Sequence, residues 1–398
     1  MASSTLQNLQ QLLSSFNTSD LNTLSENARL KLIEESRAFT RSLQKPEEII
    51  YGTVASAMTQ SVALRISIDL QIFTHLSHQS PLTTSTLASL TSASPQLILR
   101  LMRPLIAGGF ILEPSPATYS ANTLTHTLSK PQVAAGIQHW FDRGMIPVAK
   151  MPEYFQRSGY TLPQDEVSGP QQFGFGTQLE SYAFWATKEG WLESFNTYMT
   201  GAITAERTHW TEWFPVEERV VEGFRSEEGE GVLYVDVGGG RGHDVEAFRR
   251  KVGEVVKGRL VLEDLPGVIE DVGQLDEKVE KVEQDFFEEQ KVKGARVYFL
   301  SHILHNWPDP LALRILARLK AAMTPGYSKL LICERILPDK GASEWEATMD
   351  MGMLFFHGGQ ERSREQWTKL LEEAEFEVGK FWTPDVDGQG IVEAIMKS

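Results

Sequence analysis

A glycine-rich turn after an apolar run constrains the fold of this chain more than any other stretch. The run from Val232 to Val237 is typical of a buried parallel strand, and it ends in Gly-Gly-Gly-Arg-Gly at residues 238–242. Apolar residues then recur at helical spacing, at Val245, Phe248 and Val252. Glycine lets the backbone approach a ligand, and the start of a helix offers free N–H groups. We therefore predict the first unit of an α/β sheet, with a nucleotide-like cofactor bound at this turn.

The spacing of the glycines excludes two common types of nucleotide-binding motif. A dinucleotide fingerprint, G-x-G-x-x-G, would need glycine at His243, and the chain has no G-K-[ST] phosphate-binding loop. What remains is an acid followed by alternating glycines: Asp236, Gly238, Gly240 and Gly242. An acid at the strand end suits a cationic ligand better than a pyrophosphate. The pattern resembles motif I of S-adenosylmethionine-dependent methyltransferases and implies S-adenosyl-L-methionine as cofactor. The alternative is a glycine turn that binds no ligand.

Composition excludes several classes of partner. The formal net charge of -15 argues against binding to nucleic acid, which needs a basic face, and to anionic membranes, so we expect neither partner. No apolar run approaches the roughly 20 residues that cross a bilayer. The first residues are polar and rich in glutamine, unlike a signal peptide, and we expect a cytoplasmic protein. The single cysteine, Cys333, excludes a disulfide framework within the chain and any metal site built from cysteines.

Two further strand ends carry acids that suit a nucleoside. The strand that begins at Arg259 ends in Glu263 and Asp264, at the place where mononucleotide folds hold ribose hydroxyls. We assign that role to Asp264 and keep Glu263 in reserve. After the next strand, Asp285 is placed to accept from an adenine amino group, and Phe286 to lie against the ring. Either acid alone would be a solvated charge, but their register after the glycine turn favours a cofactor site.

The fourth and fifth strands also end in polar residues. Residues 296–300 run into a histidine-rich stretch that includes His305, and Asp309 is predicted to cap the next helix with Pro310 at its first position. The fifth strand ends at Glu334. Glu361 lies in a glycine-hinged loop directly before another helix start. Because the carboxyl ends of parallel strands meet at one edge, these side chains are predicted to lie where ligands bind.

The N-terminal part, residues 1–130, is predicted to be a helical and winged-helix module. Helical apolar spacing begins at Leu6–Leu13, and the stretch from Val54 to Leu76 is apolar on more than one side. Such a helix is either a subunit interface or an internal core helix. Residues 81–122 contain two short helices, the second capped by Ser94 and carrying Pro104, and then a small hairpin. Winged helices often bind DNA, but the acidity of this chain favours dimerisation.

Residues 131–230 are helical and rich in aromatic side chains. Aromatic rings make flat, apolar pocket walls, and pockets lie at domain junctions, although ordinary core packing accounts for most of these rings. We predict a pocket for a planar substrate with six lining residues: His139, Trp140, Met145, Phe175, Trp185 and Met199. From residue 231 to 398 strands alternate with helices, which predicts a doubly wound, Rossmann-like α/β domain.

Taken in chain order, these motifs resemble a known family. The glycine turn is followed by Asp264-Leu265-Pro266, Asp285-Phe286, His305-Asn306-Trp307, Glu334 and Gly359-Gln360-Glu361-Arg362. This set is similar to the plant- and fungal-type small-molecule O-methyltransferases, class I enzymes with an N-terminal winged-helix dimerisation domain. The resemblance extends from about residue 50 to the end of the chain.

The resemblance implies a homodimer in which the N-terminal helices intertwine. It implies that His305 is the general base on a phenolic or similar hydroxyl and that Glu334 and Glu361 hold its ring, without a metal. A histidine pKa of about 6.5 suits this role. It also places Ser301 and Trp307 among the cofactor contacts. At Ser301 the family commonly has lysine or arginine.

Three functions remain open at this point. The leading one is methylation of a hydroxyl on an aromatic or polyketide-like secondary metabolite. The second is a non-methylating enzyme of the same fold that keeps the cofactor as a positive charge and catalyses a pericyclic or other cyclisation. The third is a DNA-binding regulator built on the winged helix. The presence of His305, Glu334 and Glu361 favours the first.

Overall fold

The computed structural model of the protein describes residues 24–204, 208–225, 231–253, 257–384 and 389–397. It divides into two compact units, one comprising the described residues up to Gln60 and the other those from Ser61 onward. The helical stretch predicted at Leu6–Leu13 lies outside the described residues. Within the described ranges, no helix is both long enough and apolar enough to cross a membrane.

The N-terminal unit is helical. It contains the helices Glu26–Leu43 and Pro46–Tyr51 and the π-helical turn Gly52–Ser56. Ser25 caps the first helix, because its hydroxyl accepts a hydrogen bond from the Ala28 N–H at 3.3 Å. The next helix, Ala57–Asp69, includes the boundary between the units.

The single helix predicted from Val54 to Leu76 is broken in the structure. Ala57–Asp69 ends before Gln71, whose φ of 51° is left-handed, and a new helix, Ile72–His78, follows. The break directs apolar residues of the second helix into a buried cluster, namely Ile72, Phe73 and Leu76. This half of the stretch is therefore an internal core element.

A winged-helix arrangement surrounds that cluster. Its helices are Thr84–Thr91 and Pro95–Ala107, and its small sheet contains β1 (Leu82–Thr83), β2 (Leu112–Ser115) and β3 (Thr118–Ser120) in the order β1-β3-β2. Ser94 caps the second helix as predicted, accepting from the Leu97 N–H at 3.2 Å. Pro104 lies in the last turn, and the helix still continues to Ala107.

The aromatic segment is a series of helices. It follows the helix Thr123–Leu128 and comprises Pro131–Gln138, the π-helical turn His139–Gly144, Met145–Arg157, Pro170–Phe175, Ser181–Ala186, Trp191–Thr204, Trp210–Trp213 and the π-helical turn Glu217–Val221. Aromatic rings of this segment pack with Phe355 and Phe356 of the helix Glu344–His357 in one cluster. The segment is thereby joined to the C-terminal domain by packing.

A mixed sheet forms the centre of the C-terminal domain. Its strands are β4 (Val232–Val237), β5 (Arg259–Asp264), β6 (Val279–Glu283), β7 (Val297–Ser301), β8 (Lys329–Leu337), β9 (Arg362–Ser363), β10 (Phe376–Trp382) and β11 (Gln389–Met396). The order is β10-β11-β8-β7-β4-β5-β6, with β9 beside β8. Strands β4 to β8 are parallel, whereas β11 pairs antiparallel with β8 and β10. The strand order reverses beside β4, so the glycine turn lies at the switch point of the sheet.

Helices cover both faces of this sheet. They are His243–Val252, Pro266–Glu270, Asp309–Ala322 and Arg364–Glu373. The helix Glu344–His357 packs on the aromatic segment instead, and a 3₁₀ turn spans Leu304–Asn306. Two buried apolar clusters lie on the opposite faces. The predicted capping box of the last helix is present, since Ser363 and Gln366 exchange hydrogen bonds.

The helix cap predicted at Asp309 is wrong by one residue. The helix begins at Asp309 itself, and Pro308 occupies the N-cap position. The Asp309 carboxylate instead accepts from the Arg362 Nη2 at 2.8 Å and from the Gln360 side chain at 2.9 Å. A charge-assisted partner from another loop has taken the carboxylate away from local capping.

Candidate active site

The glycine turn after β4 adopts a backbone that requires its glycines. Gly238, Gly240 and Gly242 have φ values of 68°, 57° and 79°, a region that residues with a Cβ rarely adopt. A Cβ at Gly238 would lie 2.7 Å from the Ile303 Cδ1, whereas a Cβ at Gly240 would meet no atom within 4 Å. The turn is therefore packed on one side and open at Gly240, where a ligand would approach the backbone.

Asp236 lies beneath this turn. It is fully buried, and its Oδ2 accepts from the Val245 N–H of the following helix at 3.0 Å, while Oδ1 has no partner among the described residues. Burial, reinforced by the charge of Asp244, holds the pKa of Asp236 well above its usual range. We expected this acid to offer charge to a cationic ligand. The structure instead uses it to connect the strand end to the helix start.

Asp264 closes the turn from the end of β5. Its Oδ2 accepts from the Gly240 N–H at 2.8 Å and its Oδ1 from the Leu265 N–H at 2.7 Å. Each carboxylate oxygen has a second lone pair, so the group can still accept from a ligand. The reserve candidate, Glu263, is fully buried and accepts from the Gln290 amide at 2.5 Å. Burial raises the pKa of Glu263 to about 7, and its position faces the protein interior.

The other cofactor candidates lie around the same edge. Asp285 is exposed and accepts from the Phe287 N–H at 2.9 Å, and the half-buried Phe286 ring lies beside Gly238. The Trp307 ring is buried edge-on against Phe287 and Phe286, with centroid distances of 4.8 and 6.0 Å. The structure thus brings Phe286 and Trp307 together with the glycine turn. Ser301 is the last residue of β7.

His305 lies on the short 3₁₀ turn that follows β7. Its imidazole is buried, and Nδ1 lies 3.0 Å from Oε1 of Glu361. Burial alone would lower the pKa of His305, but the carboxylates of Glu361 and Glu334 outweigh it and raise that pKa above 6.5. The same contact lowers the pKa of Glu361 despite its burial. A carboxylate on Nδ1 fixes the tautomer and leaves Nε2 as the nitrogen that can take a proton.

Glu334 supports His305 in a way that the sequence did not predict. We expected it to hold the imidazole ring. In the structure its Oε1 accepts from the backbone N–H groups of Ile303, Leu304 and His305, at 3.1, 2.5 and 3.2 Å. A short 3₁₀ turn leaves these N–H groups without carbonyl partners, and the carboxylate satisfies them. Glu334 therefore positions the backbone that carries the histidine.

The loop before the helix Arg364–Glu373 also forms hydrogen bonds with the 3₁₀ turn Leu304–Asn306. The Gln360 N–H donates to the His305 carbonyl at 2.9 Å. Arg362, which is 1% exposed, donates to the carbonyls of Leu304 and Trp307 at 3.0 and 2.9 Å. A Cβ at Gly359 would lie 2.0 Å from the His305 carbonyl oxygen, so only glycine allows this approach. The sequence signal was the Gly-Gly pair, but the burial of the arginine was not predictable from it.

The three candidate catalytic side chains also have the types found at metal sites. His305, Glu334 and Glu361 each offer a ligand atom, and these atoms lie within 4.8 Å of one another. Imidazole and carboxylate together suit several divalent ions. One oxygen of Glu334 is already occupied by backbone N–H groups, and Glu361 is bonded to the ring. Hydrogen bonding accounts for the arrangement, and we assign no ion to it.

The six predicted pocket residues lie in the aromatic segment at different depths. Trp185 and His139 are buried in its centre, with ring centroids 5.4 Å apart. The other four, Trp140, Met145, Phe175 and Met199, are half-buried. Tyr182, which the sequence did not single out, connects this segment to the 3₁₀ turn Leu304–Asn306, here called the histidine turn. Its hydroxyl accepts from the Asn306 amide at 3.3 Å.

Two protein-family models match parts of this chain. The model of the O-methyltransferase dimerisation domain matches residues 53–131, and that of the O-methyltransferase domain matches residues 212–377. Among solved structures, LepI in complex with SAM is 26% identical, with a TM-score of 0.86 over 100% of both chains. A protein described as "A Pericyclic Reaction enzyme" is 26% identical, with a TM-score of 0.85 over 99% of this chain and 100% of the other.

Relatives of known name cover most of the chain. O-methyltransferase asqD of Emericella nidulans is 40% identical over 336 residues, which are 84% of this chain and 86% of the relative. O-methyltransferase penC of Penicillium thymicola is 37% identical over 374 residues, which are 92% of this chain and 91% of the relative. Identity at this level over nearly the full length shows common descent of the whole architecture. The chain belongs to the O-methyltransferase family of enzymes.

Proposed function

We propose that this enzyme transfers a methyl group from S-adenosyl-L-methionine to a hydroxyl of an aromatic or polyketide-like secondary metabolite, with His305 as general base. The contact between the His305 Nδ1 and the Glu361 carboxylate, at 3.0 Å, is the observation that carries the proposal. It fixes the tautomer with Nε2 free for a proton from the acceptor hydroxyl. A base whose pKa lies above 6.5 removes a phenolic proton more readily than an unperturbed histidine.

The cofactor is S-adenosyl-L-methionine, and the residues around the glycine turn fit it. The open backbone at Gly240 and the remaining lone pairs of Asp264 suit a nucleoside, with Asp264 accepting from ribose hydroxyls. Phe286 and Trp307 supply apolar ring surface for the adenine, and Asp285 an acceptor for its amino group. When bound, the cofactor supplies a methyl group on a positively charged sulfur. Positioning the acceptor against it contributes roughly 7–11 kcal/mol to such a reaction.

Separate measurements of binding and chemistry test this function. His305→Ala should bind S-adenosylmethionine with unchanged affinity in calorimetry, because among the described residues the imidazole contacts Glu361 and His302 and forms no hydrogen bond with the glycine turn. Methyl transfer, followed as S-adenosylhomocysteine by mass spectrometry, should fall by roughly 10²–10⁴-fold. A variant that retains the wild-type rate with a bound cofactor would remove His305 from the mechanism.

A non-methylating reaction on the same cofactor is the second candidate. It is supported by the 26% identical structure described as a pericyclic reaction enzyme, which matches 99% of this chain. The alternative predicts that product forms without S-adenosylhomocysteine and that the sulfonium is recovered intact. Stoichiometric S-adenosylhomocysteine per product would exclude it.

We also propose that the enzyme is a homodimer, supported by the match of residues 53–131 to the O-methyltransferase dimerisation domain. Large apolar side chains in the N-terminal unit are more than one-third exposed in a single chain, among them Leu43, Ile50 and Tyr51. Exposed apolar surface of this kind marks an interaction site. Sedimentation equilibrium should give twice the mass of one chain, and a monomer would contradict the assignment.

A further inference from the structure

A buried arginine in the aromatic segment lacks the partner that its charge requires. Arg143 is 1% exposed, and its guanidinium carbon lies 5.4 and 4.9 Å from the ring centroids of Trp185 and Trp191. One of its N–H groups donates to the Trp191 carbonyl. The Nε is buried and has no hydrogen-bond partner among the described residues. Buried charges are normally paired, because an uncompensated one costs several kcal/mol.

Two acids of the same segment, Asp142 and Glu180, are engaged elsewhere. Asp142 is bound by Arg65, whose Nε and Nη2 donate to its two oxygens at 2.7 and 2.8 Å. Glu180 caps the helix Ser181–Ala186, accepting from the backbone N–H groups of Tyr182 and Ala183. Burial lowers the pKa of Arg143 only to about 10, so the guanidinium stays cationic at neutral pH. The cation is thus held by indole rings and one carbonyl.

A second unpartnered group lies on the same side. His139 belongs to the same π-helical turn as Arg143, and both contact Trp185. Its Nδ1 is buried without a partner among the described residues, and the ring lies 4.5 Å from Phe356. Burial, and then the charge of Arg143, hold the pKa of His139 well below its usual range, so the ring is neutral. Short π-helical turns inside α-helical stretches are frequent at functional sites.

These groups adjoin the histidine turn. Tyr182 lies 5.1 Å from Trp185 and stacks on His357 at 5.1 Å, and its hydroxyl contacts Asn306, the residue after His305. Contacts therefore run from Arg143 through Trp185 and Tyr182 to the residue that follows His305. Indole and phenyl faces suit a flat ring system, and Arg143 Nε and His139 Nδ1 would bind the polar end of such a molecule.

We propose that His139 and Arg143 form an anion-recognising subsite, so that the acceptor is a planar aromatic hydroxyl compound that also carries a carboxylate. The carboxylate accepts from the guanidinium Nε, and a second polar atom of the acceptor pairs with the His139 Nδ1. The assignment rests on the proposed function only for the orientation of the hydroxyl toward His305. A carboxylate in this position gives Arg143 the counter-charge that the described residues do not provide.

Binding of a matched pair of probes to the full-length chain tests the subsite. The probes are a hydroxynaphthoate and the corresponding hydroxynaphthamide, titrated by calorimetry in the presence of saturating S-adenosylhomocysteine. The wild type should bind the carboxylate about tenfold or more tightly than the amide, as expected for a charge-assisted hydrogen bond in a buried site. Arg143→Gln should remove this preference while retaining S-adenosylhomocysteine binding.

The control is Arg157→Gln. Arg157 also lies over a ring of this segment, 5.2 Å from the Phe173 centroid, but its side chain is 68% exposed. This variant should keep the wild-type preference. Equal affinities of the wild type for both probes, binding of neither probe, or an undiminished preference in Arg143→Gln would each overturn the proposal.

Two further variants, Arg143→Lys and His305→Ala, cover a folding failure and separate the subsite from the general base. If Arg143→Gln does not fold, Arg143→Lys is titrated instead, and its preference should fall because lysine lacks the fixed geometry of the guanidinium. An unchanged preference in Arg143→Lys then overturns the subsite. His305→Ala should lose methyl transfer and retain the carboxylate preference, so failure of the general base and failure of the subsite give different results.

Discussion

Replacing Gly359 by alanine tests whether the loop before the last helix sets the position of His305. Gly359 packs directly on the backbone of the 3₁₀ turn. An added Cβ would lie 2.0 Å from the His305 carbonyl oxygen, 2.6 Å from the Asn306 carbonyl carbon and 2.9 Å from the Trp307 nitrogen. All three are backbone atoms, so no flexible side chain can move aside. Either the loop or the turn must shift.

The size of that shift follows from ordinary contact distances. Non-bonded heavy atoms sit at about 3.5 Å, so the overlap requires a displacement of more than ~1 Å. Such a movement would stretch the 2.9 Å hydrogen bond from the Gln360 N–H to the His305 carbonyl. Overpacking typically costs about 1–3 kcal/mol of stability, and a ~1 Å misplacement of a catalytic group costs about 10²-fold in rate.

The assay measures kcat for methyl transfer, the affinity for S-adenosylhomocysteine and the unfolding free energy of the same preparation. We expect kcat to fall by about 10²-fold and cofactor affinity to fall much less, since Gly240 and Asp264 are not touched and only the Trp307 contact lies on the displaced turn. Gly273→Ala is the control, because its Cβ would meet no atom within 4 Å. A folded Gly359→Ala enzyme with wild-type kcat would refute the claim that this loop positions the histidine.

Substitutions at three further residues separate the roles of the side chains around His305. In Glu361→Gln the larger of the two carboxylate contributions that raise the pKa of His305 is removed, so that pKa should fall. The rising limb of the kcat/KM–pH profile should therefore move to lower pH while the plateau falls roughly 10²-fold; a limb that moves upward contradicts the assignment. Glu334→Gln keeps an acceptor for the backbone N–H groups and should retain most activity, whereas Glu334→Ala should lose about 1–3 kcal/mol of unfolding free energy in denaturant titrations; equal stability of the two would contradict the positioning role. Burial lowers the pKa of His357 to about 3, so only the unfolded chain takes up that proton between about pH 6.5 and 3, and stability falls as pH falls through this window. In His357→Phe the unfolding free energy should therefore depend less steeply on pH, by about 1.4 kcal/mol per pH unit, and an unchanged slope would count against a neutral buried histidine.

The sequence predicted the edge of the sheet well because that edge depends on local patterns. The apolar run to Val237, the glycines after it and the acid at the end of β5 each follow from neighbours along the chain. The parallel order then brings the strand ends together without further information. The capping box at Ser363 was predictable for the same reason, since both of its partners lie within one helical turn.

Partners from distant elements were not predictable in this way. Glu334 was expected at the imidazole and is bonded to backbone N–H groups instead, because the unmet donors of a 3₁₀ turn appear only once that turn is formed. Asp309 was expected to cap its own helix, but the buried Arg362 competes for it. The break at Gln71 is set by the core that receives the following helix. In each instance a tertiary contact outweighed a local preference.

Three separate elements of the chain form hydrogen bonds with the turn that carries His305. A 3₁₀ turn has too few internal hydrogen bonds to fix a side chain, so its position is determined from outside. Glu334 holds it from the sheet, the loop carrying Arg362 from the C-terminal helices, and Tyr182 from the aromatic segment. The first two restraints do not involve residues proposed to touch the acceptor. Changes in the aromatic segment can therefore alter which molecule is bound without displacing the base, which is the arrangement that an enzyme needs if one catalytic centre is to serve different acceptors.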